Sequence, residues 1–145
     1  MLEIARSKEY GKAKMSFGIA DMYNYETTEK HENLFGGFIW SHIQLQDLDN
    51  FLAKINGLVS PGGTVVFIDN NFVEGSNHPI AYTDEQGNTF QDQKLEDGTT
   101  HRVRKNFPTE SFLRKKLEDK ASDITIIHFP YYWILSYRIK KENKL

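Results

Sequence analysis

Cysteine is absent from the 145 residues. That excludes disulfides, thiolate catalysis and zinc–sulfur sites. No apolar run approaches the length that spans a bilayer as a helix, and the N-terminus lacks the basic-then-apolar order of a secretory signal. Neither charge dominates: 18 Lys and Arg stand against 20 Asp and Glu, a net −2, so there is no general pull toward nucleic acid or an anionic membrane. His42, His78 and His101 lack metal-site spacing, and no metal is expected. There is no internal repeat, no low-complexity segment and no GxGxG sequence. What remains is a chain long enough for one domain with a real core, with a cytoplasmic location as the default expectation.

The most informative stretch is Leu45 to Asn71. Leu48, Phe51, Leu52, Ile55, Leu58 and Val59 recur at helical spacing, with Asp47 in front as the expected N-cap. Pro61 is expected to stop this helix, and Gly62-Gly63 to reverse the chain. Thr64 to Ile68 then reads as a strand ending on Asp69. A run apolar on both faces predicts a central parallel strand with helices on each side.

The flanks are read in order. Met1 to about Lys12 predicts a short helix closed by Gly11. Lys14 to Ala20 alternates and predicts a strand, with Asp21 at its end. Tyr23 to Leu34 reads as a loop or one irregular turn, and Phe35 to Ile43 as a strand ending on Ser41 and His42. Asn70 to Tyr82 has no periodicity. Asp97-Gly98 predicts a tight turn pairing Thr89–Leu95 with Thr99–Lys105. Thr109 should cap a helix that buries Phe112, Leu113 and Leu117. Ile124 to Phe129 and Trp133 to Ile139 predict two strands, antiparallel because the turn between them is short.

Strand, strand, helix, PGG, strand, insert, helix, antiparallel pair resembles the second half of class I S-adenosylmethionine-dependent methyltransferases. MLEIAR is similar to the helix after that family's second strand. The resemblance implies an α/β fold: a truncated Rossmann-like sheet, mostly parallel, with an antiparallel C-terminal hairpin. Residues 1–140 would form the partial domain, 70–106 its insert or cap, and 141–145 a solvated tail. The family's glycine-rich cofactor loop and the acid of its second strand have no counterpart, so a shortened chain with a deficient cofactor site is expected. In the family order 3-2-1-4-5-7-6 the two missing strands lie between Lys14–Ala20 and Phe35–Ile43. The first of these strands would then close onto the second, or two copies would complete each other as a homodimer along the bare edge.

The resemblance also assigns roles. Asp21 would accept from the adenine amino group of S-adenosylmethionine, Met22 would pack on its face, and Ser41 would line the cofactor pocket. His42 stands where open α/β sheets place ligands and is the candidate general base, while Trp40 is expected in the core. Gly36 or Gly37 stands where the family often has an acid. Asp69, Tyr82, His101 and Arg102 are candidates for a small-molecule substrate. Each also has an ordinary structural reading, as strand-end acid, turn residue or solvated hairpin. A basic patch from Arg102, Arg104, Lys105 and Arg114-Lys115-Lys116 would favour nucleic acid, but the overall charge opposes it. No nucleic-acid or membrane partner is expected. The rival to an enzyme is a non-catalytic dimerising module, or one subunit of a two-chain methyltransferase.

Overall fold

The computed structural model describes residues 1–141. Residues 142–145 of the expected tail lie outside the described residues. Seven strands and three helices follow in order: α1 (Leu2–Arg6), β1 (His31–Gly37), α2 (Leu48–Gly57), β2 (Val59–Asn70), β3 (Ile80–Thr83), β4 (Thr89–Lys94), β5 (Thr100–Arg104), α3 (Glu110–Leu117), β6 (Ala121–His128) and β7 (Tyr132–Ile139). The main sheet has the order β1-β2-β7-β6. β1 and β2 are parallel, and β7 runs against both β2 and β6. Three of the four strands therefore point one way. β3, β4 and β5 form a separate antiparallel sheet, the cap. Among the described residues no helix is long and apolar enough to cross a membrane.

The core lies on one face of the main sheet. Val65 pairs with Tyr137, Phe67 with Leu135 and Asp69 with Trp133, and all six are fully buried. α2 covers this face with Leu48, Phe51, Leu52 and Ile55, and α3 with Leu113 and Leu117. Asp49 of α2 reaches Lys116 of α3 at 2.8 Å, so the two helices lie side by side. The opposite face carries Phe35, Val66, Ile68, Ile134 and Ile127 in adjoining register. No helix among the described residues covers it: Phe35 is 69% exposed and Ile127 48%. The expectation of helices on both faces is therefore corrected.

Five local expectations are corrected as well. Lys14–Ala20 forms no strand. An extended segment becomes a strand only where a neighbour takes its backbone hydrogen bonds, and this one has none. It therefore does not close onto β1, whose outer edge is unpaired among the described residues. The expected strand Phe35–Ile43 is displaced to His31–Gly37; Phe38 turns the chain away at φ +56°. The first helix is only five residues long and buries nothing. Asp47 sits at the N-cap of α2 but makes no side-chain cap bond, because a 3₁₀ turn at Leu45–Asp47 leads into the helix. Pro61-Gly62-Gly63 lies inside β2 rather than between helix and strand. It forms an irregularity where the β1 register jumps from His31↔Val59 to Asn33↔Thr64. A Cβ on Gly63 would overlap the Glu32 carbonyl and stand 2.6 Å from Val59 Cγ1. Gly36 is equally constrained, because Phe67 Cδ1 would stand 2.6 Å from its Cβ. The acid common in the resembling family could not fit there.

The second half matches expectation closely. The Asp97-Gly98 turn joins β4 to β5, with Gly98 at φ +87°. Thr109 caps α3 by accepting from Phe112 N at 3.2 Å. β6 and β7 pair antiparallel.

Candidate functional site

Three segments meet beyond the carboxyl ends of β1 and β2. They are the 3₁₀ turn Trp40–His42, the end of β2, and the stretch leaving β5. Asp69 is their hub. Its carboxylate accepts from Ser41 N at 2.8 Å, Ser41 Oγ at 3.0 Å and Asn70 N at 2.8 Å. Lys105 Nζ completes the set at 3.1 Å. The Asp69 side chain is wholly buried and that of Lys105 is 10% exposed. A charge removed from water needs such a set of partners to stay in place.

His42 is held beside this hub. Its Nδ1 lies 2.8 Å from the Arg104 carbonyl oxygen. That oxygen can only accept, so Nδ1 carries the proton and a neutral ring keeps its lone pair on Nε2. Arg104 returns a bond from its guanidinium to the His42 carbonyl at 3.1 Å. Arg104 therefore holds both the ring, at Nδ1, and the backbone of His42, with Nε2 free among the described hydrogen bonds. This arrangement suits a proton acceptor.

Buried amides hold the cap. Asn106 donates to the Ile43 carbonyl and to Asn88 Oδ1, each at 3.0 Å, and accepts from Thr89 N at 2.9 Å. Asn88, fully buried, accepts from Leu45 N at 2.8 Å and donates to Gln46 and Asp84. Between cap and core this leaves a cleft of about 330 Å³. Trp40, Ile43 and Leu48 form its floor, and Phe72, Phe107 and Phe112 its other wall.

The residues singled out from sequence separate into groups. Ser41, His42 and Asp69 come together. Ser41 and Asp69 are fully buried and satisfied by each other, so neither offers a polar atom to solvent. Asp21 and Met22 are elsewhere. Asp21 caps its own turn, accepting from Tyr23 N at 2.9 Å and Asn24 Nδ2 at 2.8 Å. These bonds hold its carboxyl below the usual range, with a smaller contribution from Lys54. Tyr23 accepts from Lys54 Nζ, which places this turn beside the second half of α2. The end of α2 meets the start of β1 through His31 N to the Leu58 carbonyl, so Asp21 lies toward the amino ends of the sheet. Tyr82 and Arg102 stack on one cap face, with the guanidinium 5.7 Å from the ring centre. Arg102 also forms a bidentate pair with Asp92. His101 alternates to the other cap face and meets Thr99 Oγ at 3.2 Å. Among the described residues no group of acidic or histidine side chains could hold a metal ion.

Lys105 was read only as part of a basic patch, Trp40 and Phe112 only as core, and Asn106, Phe72 and Phe107 were not singled out. Alternation along β5 puts Lys105 on the face of Val103, so an inward lysine was the available signal. Phe72 and Phe107 come from segments without periodicity, and only the fold brings them together, with ring centres 5.3 Å apart.

No family model and no curated protein matches the sequence. Solved structures do. DhpI in complex with S-adenosylhomocysteine superposes with a TM-score of 0.68 at 19% identity, over 88% of this chain and 56% of that one. PH0226 from Pyrococcus horikoshii OT3 gives 0.71 at 15% identity, over 96% and 67%. The fold is that of class I S-adenosylmethionine-dependent methyltransferases. The glycopeptide N-methyltransferase MtfA, complexed with S-adenosylhomocysteine, gives 0.59 at 11% identity, over 83% of this chain and 59% of that one. The chain thus spans little more than half the length of DhpI and MtfA.

Proposed function

We propose that the chain is an S-adenosylmethionine-dependent methyltransferase acting on a small molecule. The observation that carries this reading is the fold, shared with proteins solved with S-adenosylhomocysteine. The residues present fit the cofactor in part. The carboxyl ends of β1 and β2, where open α/β sheets take ligands, lie beside an oriented His42. The two acids that could hold ribose or adenine, Asp69 and Asp21, are respectively buried and turned toward the far end of the sheet. Within these 145 residues there is no glycine-rich loop. The isolated chain therefore binds cofactor weakly.

When bound, the cofactor supplies a methyl group already activated on a sulfonium. The chain has to position the acceptor and take its proton. His42 Nε2 does the second, drawing the proton from a hydroxyl or amine as it attacks. Asp69, Lys105 and Ser41 act through position, fixing the turn that carries His42.

The unpaired outer edge of β1 supports a homodimer. Its backbone groups are free to pair with a second copy, and the adjoining face exposes Phe35 and Phe38. The same edge favours a second reading, in which a separate chain supplies the missing strands, or in which the chain only assembles and does not catalyse. Calorimetric titration with S-adenosylhomocysteine, at low and high protein concentration, tests the first reading. Binding should be weak when the chain is monomeric and tighten where it dimerises. Micromolar binding by the monomer would remove the cofactor deficiency. Absence of heat at both concentrations would remove cofactor binding from this chain.

A further inference from the structure

We propose that the cleft between cap and core binds a heteroaromatic compound of about two fused rings that carries no negative charge. His42 is not among the residues lining the cleft, so the ligand is assigned as a bound compound and not as the group that gives its proton to His42.

The first support is the lining. No residue around the cleft carries a formal charge. Trp40, Ile43 and Leu48 face Phe72, Phe107 and Phe112 across it, so an anion would lose its hydration with nothing to replace it, while the aromatic faces suit a neutral or cationic ring. The cations nearby are committed elsewhere: Lys105 to Asp69, and Arg104 to the His42 carbonyl.

The second support is the count of polar groups left over. Asn106 spends both amide hydrogens and its oxygen on the cap latch. Thr89 donates its hydroxyl to the Lys105 carbonyl. Thr109 Oγ accepts from Phe112 N and donates to no group among the described residues. From its side chains the cleft therefore offers aromatic walls and one hydroxyl donor. That combination matches a planar ring bearing one acceptor, such as a ring nitrogen or a carbonyl oxygen.

Size is the third. About 330 Å³ is near the lower end of small-molecule pockets and too little for a peptide or a nucleotide strand. The mouth is apolar as well: Phe72 and Ile80 are each 41% exposed there, and a bound ring would cover them.

The test uses quinoline, N-methylquinolinium and quinoline-2-carboxylate, three rings of one shape and different charge. Methyl resonances of the full chain are followed as each is added. Quinoline and N-methylquinolinium should move the Ile43, Leu45, Leu48 and Ile80 methyls in a saturable way, and the carboxylate should not at equal concentration. Ile80→Trp fills the mouth from an exposed strand position. It should weaken quinoline binding about tenfold or more while the amide spectrum stays folded. Equal shifts from the carboxylate, shifts centred on Val66, Ile68, Ile127 and Ile134 of the bare face, or no saturable shift would overturn the proposal. Titration of the same samples with S-adenosylhomocysteine reads the methyltransferase assignment separately. Failure there with an intact quinoline response removes cofactor binding but leaves the site.

Discussion

At the residue scale the Asp69–Lys105 pair decides how firmly the site is built. Both side chains are buried, so removing one leaves a charge that water cannot reach. Lys105→Met keeps the aliphatic stem and deletes only the ammonium. It should cost about 3 kcal/mol in urea unfolding. A loss within the scatter of surface substitutions would show that Ser41 and Asn70 satisfy Asp69 unaided. Tyr137 gives a pH test. Its ring is fully buried and its hydroxyl donates to Asn56 Oδ1 at 2.8 Å. Burial pushes the phenol well above its ordinary value of 10.0. Below that value the phenol is neutral in both folded and unfolded chains, and its contribution is constant. Above it the unfolded phenol ionises while the folded one does not, so stability falls as pH rises. Tyr137→Phe should flatten this alkaline slope, measured by unfolding at several pH values; an unchanged slope would place its origin elsewhere.

At the element scale, local chemistry was legible and partner-dependent structure was not. Thr109, Asp97-Gly98 and the spacing of Leu48, Phe51, Leu52 and Ile55 each carry their own instruction, and each formed as read. Lys14–Ala20 alternates like a strand, yet a strand needs a neighbour, and alternation alone does not provide one. The PGG segment was read as a break because proline and glycines usually are. Here they serve the irregularity that lets β2 stay paired with β1. Gly63→Ala tests this. Its Cβ would meet the Glu32 carbonyl and Val59, so about 2 kcal/mol should be lost, with slower-exchanging amides of β1 released first. Protection of β1 equal to the parent would contradict it. In the site, the meeting of Ser41, His42 and Asp69 was legible because the segments carrying them follow neighbouring parallel strands, although His42 lies in a turn beyond β1 and not at its end. The cleft was not, since Phe72 and Phe107 acquire their relation only through the cap.

At the scale of the whole molecule, exposed surface is the outstanding quantity. The chain exposes 10381 Å². A compact monomer of this size exposes about 7,700 Å². Residues 7–30, largely exposed, carry part of the excess, and the bare sheet face carries another part. An apolar face beside an unpaired strand edge is a surface that associates. Sedimentation should therefore show a concentration-dependent dimer, and Phe35→Lys should shift it to monomer while leaving the fold intact. A monomer at high concentration would remove the homodimer.

The central claim is that the cofactor sits beyond the carboxyl ends of β1 and β2, next to His42. Mapping amide shifts during titration with S-adenosylhomocysteine tests it most directly, because weak binding is still visible. The account predicts saturable shifts at Phe38 to His42 and at Asp69 to Asn71. Absent shifts, or shifts confined to other parts of the sheet, would contradict it.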